Sequence, residues 1–238
     1  MVEVLARFGL DGRLPPSGLT VDSPLEQRHA FAAMSEEGMG AIFDSIANEL
    51  ATPDGVTTTA TTITGIDGND ITLYISRPDE MPGPMPAVLH LHGGAMAING
   101  AADVCYVRLR EHLAATGLVV VGVEFRNSSA TLGPHPFPAG LNDCASAARW
   151  VSENRDELGV SRIVASGESG GGNMTLTLAH KAKREGWVGE MAGFYAQCPY
   201  ISNRWLDGGD DLPSLYENDG YFISCEQAGL LGSLYDPA

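Results

Sequence analysis

Between residues 86 and 197 the sequence alternates short apolar runs with segments whose apolar residues recur at helical spacing. The apolar runs are Ala87–His92, Leu118–Glu124, Arg162–Ser166 and Gly193–Gln197, and the helical patterns lie near 103–116, 139–158 and 169–185. Strands that are apolar throughout are buried on both faces, and helices that cross over between them produce a mostly parallel sheet with helices on both sides. We therefore predict an α/β fold.

Two segments with other patterns precede this alternation. Apolar residues between Leu25 and Leu50 recur every three or four positions, which predicts one or two amphipathic helices lying over another part of the molecule. Residues 56–63 and 70–76 are rich in threonine and β-branched residues around an Asp-Gly-Asn turn, which predicts an antiparallel hairpin. We divide the 238 residues into an N-terminal helical cap, residues 1–52, and an α/β core, residues 53–238.

Charge and cysteine usage narrow the classes of partner. The chain has 30 acidic and 14 basic side chains, a formal net charge of −16, so it repels nucleic acid and anionic lipid. The N-terminus lacks the basic start and apolar stretch of a secretion signal, and no run approaches the roughly 18 apolar residues of a membrane span. The four cysteines are widely spaced, with no metal-ligand pattern. We expect a cytoplasmic protein with no nucleic-acid, membrane or metal partner.

The segment Gly167-Glu168-Ser169-Gly170-Gly171 matches the pattern G-x-S-x-G between a predicted strand and a predicted helix. Glycines on both sides of the serine allow the sharp turn that exposes a nucleophile at the end of a strand. Ser169 is therefore predicted to be a catalytic nucleophile. Two other interpretations are a flexible connection in which Ser169 caps the helix, and a phosphate cradle; the second is disfavoured because neither G-x-G-x-x-G nor G-x-x-x-x-G-K-[ST] is found here.

A second motif, His92-Gly93-Gly94-Ala95, follows the strand predicted at 87–91. It is similar to the HGGG-type loop whose backbone N–H groups bind the oxyanion in lipases and esterases. We predict that the amides of this loop and of Gly170 converge on one carbonyl oxygen, and that His92 orders the loop. Alone, His-Gly-Gly is also compatible with an ordinary turn.

Taken together, the sequence resembles the hormone-sensitive-lipase-like family of α/β-hydrolases. The resemblance rests on HGGA at 92–95, VEFRN at 123–127, HPFPAGLNDC at 135–144 and GESGGGN at 167–173. It implies an α/β-hydrolase fold with an N-terminal helical cap, no cofactor, and hydrolysis of small-molecule carboxylic esters, short-chain or lactone, through an acyl-enzyme. Ala95 stands where the family usually has a third glycine; its N–H can still donate, so the oxyanion hole is altered rather than lost.

The rest of a serine triad is harder to place. In this family an acidic residue and then a histidine follow the nucleophile along the chain. His180 is the only histidine after Ser169, and on a shared helix it would lie roughly 16 Å along the axis, beyond hydrogen-bond reach. Other histidines precede the serine, where the family places no triad member; they include His90, His92, His112 and His135.

From this we expect that the chain lacks the carboxyl-terminal part of its family's domain and that its sheet is incomplete there. An unpaired sheet edge favours association, including formation of a homo-oligomer. A pseudoenzyme and a chain completed by a second polypeptide are the alternatives. Without a triad acid and histidine, the 238-residue chain alone is expected to retain little activity, since a triad serine is a weak nucleophile at its free pKa. In function, a non-catalytic ligand binder and an acyltransferase on the same fold remain open beside the esterase.

Overall fold

The computed structural model describes residues 2–202, 204–205 and 213–236. The strands are β1 Val56–Thr64, β2 Asp70–Pro78, β3 Met85–Leu91, β4 Val119–Glu124, β5 Val160–Glu168 and β6 Gly193–Gln197. The α-helices are α1 Val2–Ala6, α2 Leu25–Asn48, α3 Val104–Ala115, α4 Ala139–Glu153, α5 Arg155–Leu158, α6 Gly170–Glu185, α7 Ser214–Glu217 and α8 Cys225–Tyr235.

The six strands form one mixed sheet in the order β1-β2-β4-β3-β5-β6. β1 and β2 form the predicted hairpin, and β2 runs antiparallel to β4. β4, β3, β5 and β6 are parallel to one another, joined by helices as the alternating pattern predicts. The α/β class is confirmed, with an antiparallel portion at the hairpin side.

One predicted helix is wrong in its extent. The pattern across 139–158 predicts a single helix, but α4 ends at Glu153 and the short α5 begins at Arg155. Asn154 leaves helical geometry with φ −106° and ψ 23°, and its side-chain Nδ2 donates to the Trp150 carbonyl at 2.8 Å. The Asn154 N–H also donates to the Trp150 carbonyl, at 3.0 Å, so this carbonyl accepts two hydrogen bonds at the point where α4 ends.

The hydrophobic core has a large and a small part. The large part lies on the sheet and buries Leu73, Leu89, Val121, Ile163 and Leu178, among others. The small part joins α2 and α8 to the loop after β3, and it consists of Ala32, Ala95, Ala97, Ile98, Leu231 and Leu234. The predicted N-terminal helix is therefore one continuous helix, α2, laid across the end of the sheet where that loop emerges.

Two further features concern the surface. Within the described residues β6 has a neighbouring strand on one side only, and Tyr195 on it is 61% exposed.

None of the helices in those ranges combines the length and apolar character that a bilayer crossing requires.

Candidate active site

The strand register brings the two sequence motifs together at the carboxyl ends of the parallel strands. Leu91, the last residue of β3, pairs with Gly167 on β5, and Glu168 pairs with Gln197 at the end of β6. The chain therefore leaves all three parallel strands at neighbouring points. Carboxyl ends of strands in open α/β sheets are where ligands bind.

Ser169 occupies the turn between β5 and α6 in a strained conformation. Its φ is 53° and its ψ is −116°, a region that non-glycine residues rarely adopt. Backbone bonds fix the turn: Ser169 N–H donates to the Gln197 carbonyl at 3.0 Å, and the Ser169 carbonyl accepts from Tyr200 N–H at 2.9 Å. The serine thus stands at the N-terminus of a 16-residue helix, where the helix dipole favours negative charge.

The glycines around Ser169 permit backbone contacts that no side chain would allow. A Cβ on Gly171 would lie 1.9 Å from the Leu91 carbonyl oxygen, and one on Gly167 would lie 2.4 Å from the Gly171 carbonyl oxygen. A Cβ on Gly170 would lie 2.6 Å from the amide nitrogens of Ala95 and Met96. The absence of these side chains is what lets β5, α6 and the loop after β3 meet.

That loop, residues 93–99, forms a tight turn against Gly170. Gly94 has φ +113°, and a Cβ there would lie 2.1 Å from the Ile98 carbonyl oxygen. Ala95 and Met96 also have positive φ, 52° and 58°. The Gly94 carbonyl accepts from the amides of Ala97 and Ile98 at 2.9 and 3.0 Å, which closes the turn.

Glu168 binds this loop directly and corrects one detail of the predicted site. Its Oε1 accepts the Gly93 N–H at 2.8 Å, and its Oε2 lies 3.1 Å from His90 Nε2. The Gly93 amide, predicted as an oxyanion donor, is therefore already engaged by the carboxylate next to Ser169. The amides of Gly94, Ala95 and Gly170 are the remaining members of the predicted set.

His92 is buried beneath the loop. Its Nδ1 donates to the Gly93 carbonyl at 2.8 Å, and its ring stacks on Phe125 with centroids 4.0 Å apart. Burial lowers the pKa of His92 to about 4, against a smaller opposing effect of the Gly93 hydrogen bond. This neutral, fixed imidazole fits an ordering role for the loop and not a proton shuttle.

Ser169 lines a cavity of about 490 Å³ with mostly apolar walls. Gly93, Gly94, Ala95 and Glu168 form its floor with Ser169, and α2 contributes Met39 and Phe43. The wall from the C-terminal part of the chain includes Trp205, Phe222, Ile223, Ala228 and Leu231. Such a volume is typical of small-molecule sites.

The wall residues were not identified from the sequence. Met39 and Phe43 follow the same helical spacing as the buried residues of α2, so periodicity alone could not separate them from core positions. Tyr106, which also lines the cavity, is buried between His90 and His92, with ring centroids 5.7 and 5.6 Å away. Burial raises the pKa of Tyr106 well above its ordinary value, so its hydroxyl stays protonated. The two histidines next to Tyr106 lie at the end of β3 and at the start of the HGGA motif. The position of these histidines is the one sequence signal that could have pointed to this part of the cavity.

In the described part of the chain, no side chain is placed to act as a general base on the serine. Within residues 2–202, 204–205 and 213–236, no hydrogen bond involves the Ser169 hydroxyl. His180 lies on α6, as its spacing predicts, and it is exposed. Across the same ranges no three His, Cys, Asp or Glu side chains are grouped as metal ligands would be.

Comparison with known proteins gives a consistent result. Residues 88–236 match the family described as the alpha/beta hydrolase fold. The chain is 37% identical over 126 residues to carboxylesterase NlhH of Mycobacterium tuberculosis, a match covering 51% of this chain and 38% of that protein.

Two solved structures are similar over nearly the whole chain. Brefeldin A esterase, described as a bacterial homologue of human hormone-sensitive lipase, superposes with a TM-score of 0.95 at 42% identity over 100% of this chain and 67% of its own. Esterase Est22 superposes with a TM-score of 0.84 at 33% identity over 99% of this chain and 71% of its own. The chain thus spans about two thirds of these esterases, and its match spans less than half of the mycobacterial enzyme.

Proposed function

Because the chain belongs to the α/β-hydrolase family, we propose that it hydrolyses carboxylic esters through an acyl-enzyme formed on Ser169. One observation carries the proposal: Ser169, with φ 53°, lies beside the Gly94–Ala95 turn on the floor of an apolar cavity. The similar proteins named carboxylesterase or esterase support the reaction class.

The chemistry follows from this placement. The Ser169 hydroxyl oxygen attacks the ester carbonyl and loses its proton to a base, and the carbonyl oxygen becomes an oxyanion. The amides of Gly94, Ala95 and Gly170 surround the place where that charge develops, and one such donor is worth about 3–4 kcal/mol in the transition state. The alcohol then leaves with a proton, and water releases the acid from Ser169. In the described ranges no side chain contacts Ser169 as the base, so this role is not assigned to a residue.

We further propose short-chain or lactone esters as substrates. The cavity of about 490 Å³ is lined mainly by methionine, aromatic and aliphatic side chains, which favour an uncharged substrate of small to moderate size. An acidic protein with net charge −16 also repels anionic substrates, so carboxylate esters without added negative charge are expected to react best.

A turnover assay tests the function. The protein together with its general base is expected to release p-nitrophenol from p-nitrophenyl acetate, and Ser169→Ala is expected to lose nearly all of this activity, by a factor of about 10⁴ or more, whereas the 238-residue chain without a base should retain little activity. Ser152→Ala, on helix α4 away from the cavity, is the matched control and should retain the wild-type rate. Equal rates in wild type and Ser169→Ala would contradict the proposal.

A non-catalytic ligand binder is the second candidate, because no base contacts Ser169 among the described residues. This alternative predicts tight, reversible binding of a small apolar ester, without turnover, in both wild type and Ser169→Ala. Acyl transfer would use the same residues, and it is distinguished by adding an alcohol acceptor and measuring the new ester.

A further inference from the structure

Glu36, in the middle of helix α2, reaches out of the N-terminal cap to two loops of the core. Its Oε1 accepts the Asn99 N–H at 2.8 Å. Its Oε2 accepts the Thr131 N–H at 3.2 Å and also the Thr131 hydroxyl. Within the described part of the chain no cation forms an ion pair with Glu36, so these loop contacts are what its carboxylate binds.

Asn99 is the last residue of the 93–99 loop that carries the Gly94 and Ala95 amides, and it has φ +69°. Together with Ala95 and Met96, this makes three non-glycine residues with positive φ in five positions. Each such residue is strained and keeps its conformation only when its surroundings hold it.

Core contacts hold part of this loop. Glu168 binds the Gly93 amide, the Met96 carbonyl accepts from Ser128 N–H at 3.0 Å, and the Asn99 carbonyl accepts from Asn127 Nδ2 at 2.6 Å. The Asn99 amide is held instead from the cap, by Glu36. The cap thus supplies one of the restraints on the strained turn.

The same helix also touches the place where a substrate would lie. One turn before Glu36, Ala32 is fully buried in the small core cluster with Ala95, Ala97 and Ile98. About one turn after it, Met39 lines the cavity above Ser169. A single rigid helix therefore connects the cavity wall to the loop that would hold the oxyanion.

We propose that Glu36 is a positioning residue that sets the oxyanion-binding geometry of the 93–99 loop from the cap helix. This inference rests on the proposed ester hydrolysis. Docking of α2 places the Glu36 carboxylate on the Asn99 amide, and this fixes the turn that aims the Gly94 and Ala95 amides. The cap then contributes to the rate of the chemical step as well as to the shape of the substrate cavity.

The test compares Glu36→Ala with Glu37→Ala, a matched control that removes the neighbouring exposed carboxylate from the same helix. Amide hydrogen exchange over residues 93–99 is expected to be about tenfold faster in Glu36→Ala and unchanged in Glu37→Ala, because a local restraint is lost. With p-nitrophenyl acetate, Glu36→Ala should lose about ten- to hundredfold in kcat with KM within about twofold, since small misplacements of catalytic groups have effects of this size. Glu36→Gln keeps one acceptor oxygen and should recover part of kcat.

Several outcomes would overturn the inference. Unchanged exchange over 93–99 in Glu36→Ala would show that the carboxylate does not hold the loop. A raised KM or a lowered unfolding temperature with unchanged kcat would show that Glu36 only stabilises the cap. A wild-type protein that has its general base and still shows no esterase activity would instead refute the proposed function, and the exchange comparison would then decide alone whether Glu36 holds the loop.

Discussion

At the scale of single residues, the site depends on positions where a hydrogen replaces a side chain. Gly171 is the most demanding, because a Cβ there would lie 1.9 Å from one backbone oxygen and 2.6 Å from a second, those of Leu91 and His92. Backbone atoms cannot move aside as the end of a flexible side chain can. The close approach of α6 to the end of β3 therefore requires glycine at this position.

Gly171→Ala is expected to lower the free energy of unfolding by about 1–3 kcal/mol or more, as overpacking in a rigid environment does. Gly38→Ala is the matched control, since Gly38 lies in helix α2 and a methyl group added there would meet no neighbouring atom within 4 Å. There alanine should stabilise by about 0.5–1 kcal/mol through helix propensity. Urea unfolding of both variants measures the difference, and equal stability of the two would contradict the packing argument.

A second prediction concerns His92 and the dependence of the protein's stability on pH. Its folded pKa of about 4 lies below the unfolded value of about 6.5, so the unfolded chain binds the proton more readily. The contribution of neutral His92 is complete above about pH 6.5 and is lost as the pH falls from there towards 4. Between about pH 6.5 and 4 the protonation of His92 is expected to lower the free energy of unfolding by an amount on the order of 3 kcal/mol.

His92→Asn should therefore flatten the fall of unfolding free energy between pH 6.5 and 4.5 relative to wild type. Asparagine has no proton to gain there but can still donate to the Gly93 carbonyl. His112→Asn removes an exposed histidine from α3 and serves as the control. Urea unfolding at a series of pH values gives the slopes, and the same slope in wild type and His92→Asn would count against a buried, neutral His92.

Residue roles at this scale were partly predictable. The G-x-S-x-G pattern placed Ser169 correctly at a strand-to-helix turn, because its flanking glycines have a local geometric reason. The role of Glu168 was not predictable, since its partners Gly93 and His90 lie more than 70 residues earlier and meet it only through the β3–β5 register.

At the scale of elements, the spacing of apolar residues and the positions of turn-forming residues located the strands and most helices within a few residues. Helix α2 has apolar residues at helical spacing throughout, and strand β4 lies in an apolar run. In each case no other secondary structure fits the pattern. The break at Asn154 was missed because a side chain bonding back to Trp150 leaves no mark on apolar spacing. The wall of the cavity was missed for a related reason, since it joins α2 to residues near 222–231, which only tertiary packing brings together.

The prediction at this scale is that the chain self-associates through strand β6. One of its edges has no partner strand among the described residues, and Tyr195 is 61% exposed on it. We expect the 238-residue chain to self-associate with increasing concentration through this edge, because unpaired strand edges template pairing. Tyr195→Lys should reduce the association in sedimentation velocity experiments.

Ile66→Lys is the matched control, because it changes an exposed apolar residue, 75% accessible, in the turn at the opposite side of the sheet. It alters net charge equally and should leave the association unchanged. A wild-type chain that stays monomeric at all concentrations would refute the role of the β6 edge.

At the scale of the whole molecule, three distant parts of the chain form one site. Helix α2, the carboxyl ends of β3 and β5, and the segment leading into α8 enclose Ser169 in a cavity of about 490 Å³. The fold class followed from the alternating pattern alone, while this enclosure depends on contacts between residues about 200 positions apart, such as Gln227 with Ser35. Local sequence carries no information about such pairs.

The central claim is that Ser169 is the nucleophile of an ester hydrolase. The most direct measurement is to treat the folded protein with a serine-directed aryl phosphonate and map the covalent adduct by peptide mass spectrometry. The account predicts one adduct, on the peptide containing Ser169, and none after Ser169→Ala. An unlabelled Ser169 in a protein that hydrolyses the ester, or labelling that persists in Ser169→Ala, would contradict it.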